Sequence, residues 1–390
     1  MYIKFKPWSM PHIILTVIAK RHKNAGGQIM NNTNTEMYLG MDVSEKSIEL
    51  FALSADNKKE SKGKIENNPA KIKAFLADVK NTSRLTVALE TGTHSPWLSK
   101  MLEEHGCKVL VGHARKLRAI WGDDHKCDQR DAEMLARIAR MDPKLLHPIK
   151  HVSQEVRAEQ AVIKARDVLV KNSTMLINHL RGTLRSFGIS TSEIPCTSMH
   201  SKLMPLIPKD LRPALKGIVK QLKEVRTEIK EYDKKLTELC KKHKETKILQ
   251  QLNGVGPVTA ITFALIIADP RRFSSAGRVG SYLGLTPKRD QSGEVDKQLG
   301  ITKSGNGMLR KHLVKSANYI MGPFGVDSEL RRYGERIAAK GGKIARRKAK
   351  VAVARKLAVT MWRLWINEAE YDPFFKEHQK QKKKAARVAA

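Results

Sequence analysis

The sequence predicts an α/β domain, then a helical coiled-coil spacer, then a mainly α C-terminal domain carrying a helix-hairpin-helix. Three observations predict this order. Short apolar strands alternate with amphipathic helices over residues 37–150. Apolar residues recur at heptad spacing within 151–245. From 246 to 370, apolar helices are separated by glycine turns.

In the first section, "MYLGMDVSEKSIELFALSADN" reads as two apolar strands joined by a polar turn, a hairpin. "NNPAKIKAFLADVK" follows as a helix, with Asn68 as cap, Pro69 at the first position, and Ile72, Phe75, Leu76 and Val79 on one face. "RLTVALE" is a strand ending in Glu90. "HSPWLSKMLEEHG" repeats the helix grammar, with Ser95 as the expected cap and Gly106 as the stop. "CKVLVG" is a further strand. After "WGDDHK", which reads as a loop, comes a helix turning Ala132, Leu135, Ala136 and Ala139 inward.

In the spacer, Leu215, Ile218, Leu222, Val225, Ile229, Tyr232, Leu236 and Leu239 keep a 3-4 spacing for over three heptads, the pattern of a coiled-coil seam. An earlier helix with Leu169, Leu176, Leu180, Leu184 and Phe187 is expected to lie antiparallel to it. The Ser- and Pro-rich stretch between them reads as a loop. In the third section, "LQQLNGVGPVTAITFAL" places Gly254 and Gly256 in a turn between helices. There glycines would let backbone N–H groups approach a phosphate. From Lys340 to Lys356 there are eight basic residues and no acidic one, including Arg346, Arg347 and Lys348. Residues 371–390 form a basic tail, expected to be disordered and phosphate-seeking. Residues 1–36 read as a disordered extension, with Met30 or Met37 as alternative starts.

Charge narrows the function. The chain has 73 Lys and Arg against 39 Asp and Glu, a formal net charge of +34. A polyanion partner is expected, nucleic acid first. The four cysteines are scattered without a C-x-x-C pair, which argues against a zinc site and a disulfide scaffold and for the cytoplasm, here near the nucleoid. The only apolar run near the start, "MPHIILTVIA", is too short to span a membrane.

Against that positive background the acids stand out. Asp128 and Asp131 are three residues apart at a helix start, on one face, where they repel each other. Alone they would do no more than complement the helix dipole. A nearby base such as Lys126 or Arg130, or a divalent cation, would also neutralise them. Asp42 ends the first strand, and Glu90 ends the strand "LTVALE". Two strand-end acids followed by an acidic helix start are how an RNase H-like (RuvC-like) fold gathers a site for Mg²⁺ or Mn²⁺. Asp123 and Asp124 are rival candidates within the loop.

The motifs "YLGMDVSEKSIEL", "VALETGTHSPWL", "KCDQRDAEMLA", "LNGVGPVTA", "YLGLTPKRDQSG" and "ITKSGNGMLRKHL" occur in an order that resembles the DEDD-type insertion-sequence transposases, over about residues 37–365. The resemblance implies a metal-binding tetrad of Asp42, Glu90, Asp128 and Asp131. It also implies a serine nucleophile where T-P is followed by a short polar run and S-G, which selects Ser292 over Ser304 of "TKSGNG". Read from the residues alone, Ser292-Gly293 is simply a turn. Lys288, Arg289 and Lys303 would steady phosphate charge near it. The implied activity is metal-dependent strand cleavage and exchange on double-stranded DNA through a phosphoserine intermediate. A structured guide RNA is an implied partner, and the active sites would be shared within a homo-oligomer, dimer or tetramer. Two alternatives stay open: a junction nuclease using the tetrad and water, and a catalytically silent nucleic-acid-binding protein.

Overall fold

A computed structural model describes residues 36–58, 60–117, 127–293 and 295–389. Residues 1–35, with the expected N-terminal extension, lie outside the described residues. So do Lys126 and the rival acids Asp123 and Asp124. The chain divides into two compact units, Met1–His151 and Val152–Ala390.

The first unit is built on a five-stranded sheet ordered β3-β2-β1-β4-β5. Strands β1 (Met37–Val43), β2 (Ser47–Ser54) and β3 (Glu60–Glu66) are antiparallel neighbours. Strands β4 (Leu85–Glu90) and β5 (Lys108–Gly112) continue from β1 in parallel, which is the mixed sheet of an RNase H-like domain. One face is covered by α1 (Pro69–Ala77) and α2 (Ser95–Glu104), which bury Ile72, Leu76, Leu98 and Leu102 against Leu39, Met41, Val87 and Leu89. The other carries α3 (Asp128–Met141), whose Ala132, Leu135, Ala136 and Ala139 are fully buried, as their spacing requires.

One expected cap holds and the other shifts. Asn68 does cap α1, accepting the Ala70 N–H at 2.8 Å. Ser95, however, is the first helical residue of α2 and not its cap. Its hydroxyl donates to the Gly92 carbonyl at 2.9 Å and closes the turn after β4. Strand β3 is an addition to the sequence reading. Its residues "ESKGKIE" alternate between exposed and half-buried, so no apolar run announces it, as suits a charged edge strand.

The second unit begins with two long helices, α4 (Gln154–Ser186) and α5 (Arg212–Lys242). Leu176, Leu180 and Leu184 pack on Leu215, Val219 and Leu222, while Ile163 packs on Leu236 and Cys240, so the pair is antiparallel. The heptad seam is therefore filled from within the chain: Leu215, Leu222, Ile229 and Leu236 are buried against α4 and its neighbours. The antiparallel pairing expected of the two helices is observed, and it covers these positions within the chain. The segment between the helices is also more ordered than its Ser and Pro content suggests. Met199, Leu203 and Ile207 are essentially fully buried in the same cluster.

The rest of the unit comprises α6 (Glu245–Gln250), α7 (Pro257–Ile267), α8 (Ala276–Tyr282), the hairpin β6 (Pro287–Ser292) and β7 (Val295–Ile301), and α9 (Gly307–Ile320). Helices α10 (Glu329–Ala338), α11 (Gly342–Asn367) and α12 (Phe375–Ala389) complete it. α7 is the core helix, with every residue from Thr259 to Ile267 buried. The hairpin was not foreseen, because every residue of β6 is exposed and no apolar alternation marks it. The expected disorder of the tail is corrected by α12. Lys- and Ala-rich sequence has high helix propensity, and the helix start is tied down by Glu329 and Arg332.

Buried charge joins the first part of this unit to the last. Asp167 on α4 binds Lys171 at 3.0 Å and Lys311 of α9 at 2.7 Å. His312 beside them is buried, and this burial, with the charges of Lys315 and Arg166, lowers its pKa to about 4. The folded state thus holds a neutral ring where the unfolded chain, near 6.5, takes a proton. Stability from this group is complete above pH 6.5 and declines as pH falls towards 4, by roughly 3 kcal/mol in all. Asp167 and Glu159, whose pKa values are depressed, lose their contributions at lower pH still. Urea unfolding of His312→Leu should show a much flatter pH dependence between 6.5 and 4 than the parent chain. Equal slopes would assign that dependence to other groups.

Candidate active site

The site begins from strand register. β1 and β4 pair in parallel with Met41 opposite Leu89, so Asp42 and Glu90 are the next residues on adjacent strands. Neighbouring strands lie about 4.8 Å apart. Gly40 shows which face these acids occupy: a Cβ there would stand 1.8 Å from the Ala132 carbonyl oxygen and 2.8 Å from the Ala136 nitrogen of α3. One strand over, Ala88 clusters with Leu135 and Ala139. Alternation then puts Asp42 and Glu90, two residues on from Gly40 and Ala88, on this α3 face, and both are half-buried.

The direction of α3 follows from its contacts. Arg140, near its C-terminus, donates to the Ala55 carbonyl at 3.3 Å, beyond the end of β2 that pairs with the start of β1. α3 therefore runs antiparallel to β1, and its first turn, with Asp128 and Asp131, lies towards the Asp42 end of the sheet. Asp128 is exposed and Asp131 half-buried. The charge of Asp128 is felt by Lys64 of β3, in the row Asp42–Glu49–Lys64 across three strands.

That row contains what sequence reasoning missed. Glu49 lies opposite Asp42, and its carboxylate binds the Lys64 ammonium at 2.6 Å. This hydrogen bond, with the Glu49 and Asp128 charges, holds the Lys64 pKa above its ordinary value. The signal was available: in a hairpin with a three-residue turn, period-2 alternation sets Glu49 on the same face as Asp42.

An all-carboxylate donor set suits a hard divalent cation. Among the described residues, no three His, Cys, Asp or Glu side chains stand close enough to hold one in this conformation. The acids thus fit such an ion by donor chemistry and by their shared end of the sheet, and are not drawn into a ligand shell.

Gly40 predicts its own test. Both atoms that a Cβ would meet are backbone, so α3 must move as a unit. Gly40→Ala should cost on the order of 3 kcal/mol, or roughly 6–12 °C in thermal melting. A melting temperature equal to the parent's would refute this seating of α3.

In the second unit, Ser292 is the exposed last residue of β6, opposite Val295 across a turn with Gly293 at φ 55°. Lys288 and Arg289 are exposed on the same strand, and Arg289 pairs with Asp296 at 3.4 Å. Ser304 has other surroundings. Its hydroxyl lies 3.0 Å from the Thr302 hydroxyl, and its carbonyl accepts from Arg310 at 3.1 Å. A Cβ on Gly284 would stand 2.0 Å from that carbonyl oxygen, so "TKSGNG" forms a tight backbone crossing. Lys303, exposed beside it, takes φ 54°. Gly254, at φ 83°, rests against Ser316, Tyr319 and Ile320 of α9, a packing reason for glycine. Gly256 faces open space at the start of α7. Arg346, Arg347 and Lys348 are exposed on the first turns of α11. Among the described residues, no helix is long and apolar enough to cross a membrane.

Comparison with known families adds an independent observation. A transposase model of the DEDD IS110 type matches residues 39–189, and the model described as Transposase IS116/IS110/IS902 family matches residues 246–333. The chain belongs to the IS110/IS1111 family of transposases. A Sinorhizobium fredii protein, y4pF/y4sB, assigned as a transposase, is 29% identical over 346 residues, covering 85% of each chain. The transposase for insertion sequence element IS1111A of Coxiella burnetii is 28% identical over 255 residues, covering 63% of this chain and 68% of its own. The transposase for element IS1328 of Yersinia enterocolitica is 25% identical over 286 residues, covering 71% and 82%. This transposase therefore acts on DNA in recombination. The two matched segments contain both sets of residues just described, the strand-end acids in one and the β6–β7 hairpin in the other.

Proposed function

We propose that this transposase cleaves and exchanges DNA strands using Asp42, Glu90, Asp128 and Asp131 as ligands of Mg²⁺ or Mn²⁺, and Ser292 as nucleophile. The observation that carries the reading is the common end shared by β1, β4 and the first turn of α3, where strand-end acids and a helix-start pair face the same side. In this mechanism the Ser292 hydroxyl oxygen forms a bond to phosphorus as the bond from phosphorus to a sugar oxygen breaks. The phosphate is left on the serine, and the strand end leaves as a hydroxyl. Bound metal would supply electrophilic activation of the phosphate and offset charge. Lys288, Arg289 and Lys303 would hold phosphate near the hairpin. Arg346, Arg347, Lys348 and the turn of Gly254 and Gly256 would extend the nucleic-acid contact. The net charge of +34 supports a second nucleic acid, a structured guide RNA, beside the DNA.

The deciding experiment incubates the full-length chain with labelled DNA and Mg²⁺ and denatures it in SDS. The expected result is a covalent protein–DNA adduct. Cut DNA without adduct would replace serine by water as nucleophile. The acids belong to one unit and Ser292 to the other, and we propose that two protomers complete each site. Mixing Asp131→Asn with Ser292→Ala chains should restore adducts, all on the Asp131→Asn chain. Co-assembled chains that form none would return the site to a single protomer.

A further inference from the structure

α10, α11 and α12 line a half-open cavity of about 290 Å³ whose lining residues are all charged: Arg332, Arg336, Lys356, Lys376 and Lys380 against Glu329 and Glu377. The two acids are already engaged. Glu377 binds Arg332 at 2.8 Å, and Arg332 is held from its other side by Asp327 at 2.6 Å. The Glu329 carboxylate accepts the backbone N–H of Lys376 at the start of α12. Among the described residues, no carboxylate forms an ion pair with Arg336, Lys356, Lys376 or Lys380.

Lys356 is the informative member. It is half-buried, with its ammonium 4.7 Å from the centre of the Tyr333 ring. Burial first, then repulsion from Lys376, lowers its pKa; the Glu329 charge opposes this in part, and Arg336 adds a smaller repulsion. A desolvated cation beside like charges is costly unless an anion joins them. Basic residues also continue along the two helices that carry Lys356 and Lys380. Arg346, Arg347 and Lys348 are exposed on α11, and Lys382 and Lys384 follow Lys380 on α12. A free phosphate would engage the cavity alone, whereas a polyanion would engage these residues as well.

We infer that this cavity seats backbone phosphate of a nucleic acid, gripped by Arg336 of α10, Lys356 of α11 and Lys380 of α12. The inference rests on the chain's action on nucleic acid and is independent of the acid tetrad and of Ser292.

The test uses the full-length chain and reads equilibrium binding against salt, for a short DNA duplex of arbitrary sequence and for a single-stranded RNA. Arg336→Gln with Lys356→Gln should flatten the slope of log affinity against log salt by about 1.8 for duplex, or about 1.4 for RNA. The nucleic acid whose slope flattens is the one seated. Lys356→Arg should keep the parent slope. Lys380→Gln, on an exposed residue that cannot disturb the core, should flatten it by about 0.9 or 0.7. Parent slopes on both nucleic acids for the double variant and for Lys380→Gln would overturn the inference, as would inorganic phosphate raising the melting temperature while both slopes stay unchanged. Because binding is read, failure of the cleavage mechanism would leave these slopes unaltered.

Discussion

Asp128→Asn and Asp131→Asn should each reduce DNA strand cleavage by roughly 10³-fold or more and leave DNA affinity within about threefold of the parent. The separation follows from where the charges lie. Loss of about 4 kcal/mol of stabilisation at the reacting phosphate is about a thousandfold in rate. Affinity comes mostly from lysine and arginine contacts to phosphate, and neither substitution touches one. Both aspartates are in the first turn of α3, exposed or half-buried, so asparagine fits without disturbing Ala132 or Leu135 behind them. Asp123→Asn is the matched control and should cut normally. Cleavage at the parent rate by either α3 variant would remove that residue from the tetrad. Loss on Asp123→Asn instead would move the site into the preceding loop.

Ser292→Ala should abolish the covalent adduct while DNA binding persists, and Ser304→Ala should retain adduct. Ser292 is exposed at the end of a two-stranded hairpin, so removing its hydroxyl creates no cavity. Ser304→Ala removes a hydroxyl that lies beside Thr302 in a tight crossing. Its expected penalty is structural, about 1 kcal/mol from a lost hydrogen bond, seen in thermal melting and not in adduct chemistry. Adduct on Ser292→Ala together with none on a folded Ser304→Ala would transfer the nucleophile to Ser304.

Legibility in the sequence tracked how far each element depends on its own residues. β1, β2 and β4 are largely buried and β5 partly so, and their apolar runs declare them. α3 declared its inward face through Ala132, Leu135, Ala136 and Ala139. β3 and the β6–β7 hairpin are polar, held mainly by backbone pairing, and left no apolar trace. Heptad spacing in α5 marks which of its residues are covered but does not by itself choose the covering helix, because a neighbour in the same chain and one in another bury the same leucines. The acidic tail-side contacts, Glu329 to the start of α12 and Glu377 to Arg332, likewise span residues too far apart for any local pattern.

The sequence by itself determined the alternation of strands and helices, the basic character, the order of motifs and hence the transposase family, all properties of local periodicity or composition. Tertiary structure alone decided three things. It put Asp42 beside Glu90, because parallel register relates residues about fifty positions apart only once the sheet forms. It turned the first turn of α3 towards them, because Gly40 lets the helix backbone approach the strand. It brought Lys356, Arg336 and Lys380 around one cavity, because three helices must pack before their separate charges can share a ligand.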